Sequence, residues 1–211
     1  MTAQAGSIIS SFRTERRLLR QRIRAERRAM SAAERAIADR AIRSHIRKLS
    51  AFRRARRVAL FLPFDGEPTL TPLIHSAHPK QWYAPVITRT RMHFAQIDTR
   101  APLAHNFFGI LEPHLGEPID ARRLDLVLTP LVAFDDRGVR VGVGRGYYDR
   151  CFRFLHVRNA WQRPKLLGVA YELQHLPYLE TQSWDVPLWG AVTEAGVRRF
   201  EIPSAETVDP A

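Results

Sequence analysis

Residues Asp125–Arg150 read DLVLTPLVAFDDRGVRVGVGRGYYDR, and this stretch decides how the chain folds. The run Leu124–Ala133 is apolar on both faces, as expected of a strand covered on each side. After a turn, Gly142, Gly144 and Gly146 alternate with Val143 and Arg145, and Tyr147, Tyr148 and Asp149 then open a helical segment. The order is therefore strand, glycine-dense loop, helix. Backbone free of Cβ obstruction can approach a ligand closely and adopt positive φ. Amides at a helix start favour an anion, and Arg140 and Arg145 would add cationic donors. The spacing matches neither G-x-x-x-x-G-K-[ST] nor G-x-G-x-x-G, so on these residues alone a phosphate cradle and a plain tight turn both stay open. Asp149 suits a magnesium ion bridging phosphate oxygens, and equally a first-turn acid that complements the helix dipole.

Working outward, Val58–Leu62, Trp82–Ile87 and Leu166–Tyr171 are further apolar runs separated by lengths that suit crossover connections. They predict an α/β fold with a mostly parallel sheet flanked by helices. Arg91–Asp98 alternates as an edge strand would, and Thr69–Ser76 reads as a short helix with Pro72 in its first turn. Upstream, Arg13–Met30 predicts a basic helix with an apolar stripe of Leu18, Leu19 and Ile23. Ser31 and Glu34 have the spacing of a capping box for a second helix to about Leu49, which carries Ile37, Ile42, Ile46 and Leu49 on one face. Residues 1–12 and 203–211 are expected to be loose, leaving 13–202 as one domain.

Composition narrows the function classes. A chain of 211 residues with 45% hydrophobic content can bury one sizeable core. No run approaches a membrane span, and no apolar leader with a cleavage site is present, so a cytoplasmic protein is expected. The single cysteine, Cys151, excludes an internal disulfide and reads as a half-buried helix residue rather than a nucleophile. His75 and His78 have i, i+3 spacing beside Pro79 and read as surface positions, not metal ligands. The net charge of +12 is concentrated in residues 1–57, which hold 17 Lys and Arg against 4 Asp and Glu. Such a bias fits an anionic partner (nucleotide, polyanionic substrate or nucleic acid) or a solvated arginine-rich helix surface.

Five ordered pieces together carry a family resemblance: the basic N-terminal helix, FLPFDGEPTLTPLI from Phe61, NFFGILEP from Asn106, AFDDRGVRVGVGRGYYDR from Ala133, and GVAYELQ followed by SWDVPLWGAVTE. The chain resembles the 5-formyltetrahydrofolate cyclo-ligase family, also called methenyltetrahydrofolate synthetases. The resemblance implies a three-layer α/β sandwich, usually monomeric, that uses ATP and Mg2+ to cyclise 5-formyltetrahydrofolate, with or without a polyglutamate tail, through a phosphorylated formyl group. It implies that Arg16, Arg20 and the loop residues Arg140, Val141, Gly142, Val143, Gly144, Arg145, Gly146, Tyr147 and Tyr148 hold ATP. Leu62 and Glu67, with Val143, Gly144, Arg145, Gly146 and Tyr147, would border the folate, and Arg145 and Tyr147 would act in catalysis. Asp149 and Asp185 would be associated with the metal. Two departures stand out: Arg16 where lysine is common, and Trp189 where a second acid often follows Asp185. Arg145 and Asp149 are both expected to be replaceable without loss of fold. The rival readings are an RNA-binding protein gripping phosphates with its arginine-rich helices, and a sugar-phosphate isomerase or acyl-CoA transferase on a similar scaffold.

Overall fold

The computed structural model describes residues 2–75, 79–98, 102–156 and 163–201, with side chains from Phe12 onward except that of Arg13. His78 and the tail from 202 lie outside the described residues. Helix α1 (Thr2–Ala29) starts well ahead of Arg13, so the leader expected over 1–12 is helical from Thr2. Ile23 is buried, but Leu18 is 54% exposed, so the apolar stripe is narrower than its spacing implies. Helix α2 (Ala32–Lys48) opens with the expected capping box: the Glu34 amide donates to the Ser31 hydroxyl, and the Ser31 amide donates to the Glu34 carboxylate. Ile42 and Ile46 are buried whereas Ile37 is 62% exposed, because its position falls on the solvent side of the helix. Helix α3 (Ser50–Arg54) leads into the sheet.

The strands are β1 (Arg57–Ala59), β2 (Gln81–Ile87), β3 (Met92–Gln96), β4 (Leu103–His105), β5 (Leu111–Pro113), β6 (Pro118–Ile119), β7 (Leu126–Pro130), β8 (Ala133–Asp135), β9 (Arg140–Val141), β10 (Lys165–Val169), β11 (His175–Leu176), β12 (Gly190–Thr193) and β13 (Gly196–Arg199). The central sheet has eight strands in the order β13-β12-β10-β7-β1-β2-β3-β6. Strands β12, β10, β7, β1 and β2 are parallel, and β13, β3 and β6 add antiparallel margins. The segment expected as an edge strand, β3, is covered in turn by β6. The long apolar run Leu124–Ala133 is broken near Leu131: β7 stays in the large sheet, while β8 joins β9 and β11 in a second, three-stranded sheet. Pro130 has no amide to continue the ladder, which suits a strand end. Among the described residues of the short helix expected over Thr69–Ser76, a 3-10 turn, Thr71–Leu73, forms.

Side chains alternate across the central strands and build two cores. Leu126 and Leu128 of β7 pack with Leu167 and Val169 of β10 against Ile42, Ile46 and Phe52 from α2 and α3. On the other face Val127 and Leu166 pack with Phe94, Phe134 and Phe152. Helices on one face, the sheet, and helix α4 (Tyr147–Phe152) with the small sheet on the other make the three layers of an α/β sandwich. Trp189 sits in the first core, 7% exposed, with Lys165 and Arg199 over its ring, so it is a packing residue.

Helix α1 is tied to the loop after β1 by charge. Arg24 donates to Asp65 Oδ2 at 2.5 Å, Arg27 reaches the same oxygen at 3.2 Å and the Asp65 carbonyl at 3.0 Å, and Arg28 bonds the other carboxylate oxygen. The Arg27 side chain is only 1% exposed. Asp65 itself has φ 54, a left-handed backbone that aspartate tolerates better than most residues. Replacing Asp65 by Ala should therefore leave a buried guanidinium without its counter-ion. We expect a loss of about 3 kcal/mol in urea unfolding; a loss below about 1 kcal/mol would contradict this role for the cluster.

Candidate active site

The loop after β1, the ends of β2 and β7, the β4–β5 hairpin and the glycine-dense loop surround one open cleft of about 800 Å³. Its position follows the rule for open α/β sheets, in which ligands bind beyond the carboxyl ends of parallel strands. Leu62, Glu67, Arg140, Gly142, Val143, Arg145, Gly146, Tyr147, Tyr148 and Asp149 all line it. Residues far apart in sequence are thus brought together, while Arg16, Arg20, Val141, Gly144 and Asp185 are not part of the cleft lining. Val141 lies outside the cleft, its side chain buried with Ala133 and Leu179.

The loop is shaped by positive φ at Gly144 (98°) and Gly146 (62°), the latter forming the N-cap of α4. Arg20 donates from Nε to the Gly142 carbonyl at 2.8 Å, and a Cβ on Gly144 would lie 3.4 Å from the Arg20 guanidinium carbon. That is an ordinary contact, so the positive φ, rather than crowding by α1, is what calls for glycine at 144. Arg150 donates to the Arg145 carbonyl at 2.8 Å and lies over the Tyr147 ring. Helix α4 is only six residues long, so the loop amides and arginines dominate the local field more than a helix dipole does.

The charged groups divide into free and committed. Arg145 is exposed, rests 5.3 Å from the centre of the Phe108 ring, and has no carboxylate partner among the described residues. Arg140 is buried and committed: it pairs with Asp149 Oδ1 at 2.5 Å and donates to the Val186 carbonyl. This corrects the expectation that Arg140 offers an open donor. It also argues against the expectation that Asp149 can be replaced without loss of fold, since Asp149→Ala would strand the buried Arg140 charge. Arg16 does not reach the glycine loop; it bonds Asp185 Oδ2 at 2.7 Å and the Glu180 carbonyl at 2.7 Å. Among the described residues no group of three His, Cys, Asp or Glu side chains could hold a metal. A magnesium ion carried on phosphate oxygens needs only one or two carboxylates, and Asp149, at the cleft wall with its Oδ2 uncommitted, fits that smaller demand.

Glu67 is the second poised group. Its Oε2 accepts from the Phe64 amide at 3.2 Å, and burial pushes its carboxyl up to about 7, opposed by the nearby Arg27 charge. Tyr147 points its hydroxyl at the Thr88 and Arg89 carbonyls and packs edge-on against Phe108. Phe108 belongs to the quoted NFFGILEP motif but carries no assigned role there. Asn106 fixes its turn by accepting from the Phe108 and Ile110 amides at 2.9 and 3.1 Å. Phe64, Pro85, Ile87 and Pro130 complete the apolar walls; no sequence signal separates these from ordinary core residues. Burial pushes the Cys151 thiol up to about 11, which leaves it a poor nucleophile at neutral pH.

A family model described as the 5-formyltetrahydrofolate cyclo-ligase family matches residues 13–194. The chain belongs to the 5-formyltetrahydrofolate cyclo-ligase family. It is 35% identical over 184 residues to a 5-formyltetrahydrofolate cyclo-ligase of Haemophilus influenzae, covering 83% of this chain and 95% of that protein. An Escherichia coli K12 protein of the same name is 36% identical over 152 residues, covering 68% of this chain and 80% of that one. Among solved structures, a 5,10-methenyltetrahydrofolate synthetase of Aquifex aeolicus superposes with TM-score 0.76 at 30% identity, covering 92% of this chain and 99% of that one. In this member of the family the cleft therefore has an uncompensated arginine at one wall and a carboxyl titrating near neutrality at the other.

The Glu67 carboxyl keeps its proton more strongly in the folded state than in the unfolded chain. Its effect on stability is absent below the unfolded pKa and turns unfavourable as pH rises from there through about 7. Glu67→Gln should consequently gain stability over the parent protein between about pH 5 and about pH 8, by roughly 2–4 °C in melting temperature at the upper end. A difference independent of pH would show that Glu67 titrates as an ordinary surface acid.

Proposed function

We propose that this chain converts 5-formyltetrahydrofolate to 5,10-methenyltetrahydrofolate, with ATP and Mg2+ as co-substrates and release of ADP and phosphate. The single observation that carries the reading is that the Leu62–Glu67 loop and the glycine loop with Arg145 face one open cleft. A carboxylate at Glu67 can accept hydrogen bonds from the amino and ring N–H groups of a pterin. Arg145 and the open amides of the glycine loop supply positive charge for the phosphates. Arg20 bonds within the protein and braces that loop. A formyl oxygen is a poor leaving group. Its phosphorylation by ATP, attack of folate nitrogen 10 on the activated carbon and expulsion of phosphate would close the ring. Positioning and charge stabilisation dominate such transfers. Tyr147, held against Phe108 and the Thr88 carbonyl, would border the reacting group while keeping water out.

Two features weigh against the RNA-binding alternative. Arg16, Arg20, Arg24 and Arg27 of α1 turn their guanidinium groups inward to bond within the protein, and the glycine loop would have no role. The isomerase and transferase readings need no ATP. We further read the chain as a cytoplasmic monomer with a single domain over 13–202; among the described residues no helix is long and apolar enough to cross a membrane. Mixing protein, Mg2+, ATP and 5-formyltetrahydrofolate should generate the absorbance of the methenyl product. Arg145→Ala should cut kcat at least about 100-fold with an unchanged melting temperature. No product, or product formation independent of ATP, would refute the assignment.

A further inference from the structure

Tyr148 follows the glycine loop directly, and its ring packs against the second core. It packs edge-on against Phe94 at 6.5 Å and lies 6.1 Å from Phe152. Its hydroxyl is sealed from solvent, and no protein group accepts its hydrogen bond. A buried hydroxyl without a partner is costly to keep. The residue nonetheless lines the same cleft as Leu62 and Glu67.

We infer that Tyr148 is a folate-binding residue whose hydroxyl donates to an acceptor on the pterin edge that Glu67 grips. This rests on the folate reading of the cleft. The edge of a pterin presents an amino group, a ring N–H and a carbonyl oxygen side by side: two donors and one acceptor. A carboxylate satisfies the donors and can do nothing for the carbonyl, so the site needs a donor of its own. The other side chains with N–H or O–H groups at the cleft wall are either paired within the protein or, like Arg145, charged and placed at the glycine loop. Arg140 is held by Asp149 and Val186, Tyr147 bonds the Thr88 carbonyl, and Arg145 lies over Phe108 at the glycine loop. Tyr148 is the uncommitted neutral donor among the described residues that line the cleft. The strain of an unpaired hydroxyl in the free protein would be relieved on binding, which favours the ligand carrying the matching acceptor.

Tyr148→Phe removes the hydroxyl and keeps the ring. The inference predicts opposite signs in two measurements. The free protein should melt at the same temperature as the parent or higher, because an unsatisfied polar group is gone. The KM and Kd for 5-formyltetrahydrofolate should rise by about tenfold or more while the KM for MgATP stays within about twofold. Three results would overturn it: a folate KM within about twofold of the parent, folate and ATP constants that rise together, or a variant that melts lower or fails to fold. A parent protein that forms no methenyl product would instead remove the folate reading itself, and this inference with it.

Discussion

The cleft exists because helix α1 is fastened to two loops that the sheet alone would leave independent. At one end Arg20 grips the Gly142 carbonyl; further along, Arg24, Arg27 and Arg28 converge on Asp65, two residues before Glu67. Arg27 also reaches the Leu131 carbonyl at the end of β7. A buried guanidinium is tolerated only when its hydrogen bonds are met. The same geometry that satisfies Arg27 therefore fixes the spacing between the walls. Four of the 17 basic residues in the first 57 make this fastening.

Much of this was legible in the sequence, for identifiable reasons. Runs apolar on both faces located β1, β2, β7 and β10, because covered parallel strands must be apolar on both sides. The Ser31–Glu34 box set the start of α2 to the residue, since a cap depends on local chemistry that sequence displays directly. The glycine spacing placed the loop and the start of α4. Other features were not legible, because they depend on long-range partners. Nothing local shows that β8 leaves the main sheet, that Ile37 and Leu18 face solvent, or that Arg140 spends its charge on Asp149. Phe108 was visible as part of a motif, but only the fold brings it against Tyr147 and Arg145.

The electrostatics of the site divide along the same lines. Arg16 and Asp185 neutralise one another, as do Arg140 and Asp149, and these pairs hold Glu180, Val186 and Gln182 in place around the loop. Among the described residues of the cleft, what is left unbalanced is Arg145 on one side and Glu67, with a carboxyl pushed up to about 7 by burial, on the other. A cleft with one uncompensated cation, one proton-sharing acid and apolar walls between them suits a ligand pair in which a phosphate chain meets a flat heterocycle.

On this reading the glycine loop and the Glu67 loop bind two different ligands in one cleft. A crystal structure with a non-hydrolysable ATP analogue and 5-formyltetrahydrofolate tests it most directly. Phosphates are expected against Arg145 and the amides of residues 142–146, and a pterin ring on Glu67. A nucleotide lodged elsewhere, with the glycine loop empty, would contradict it.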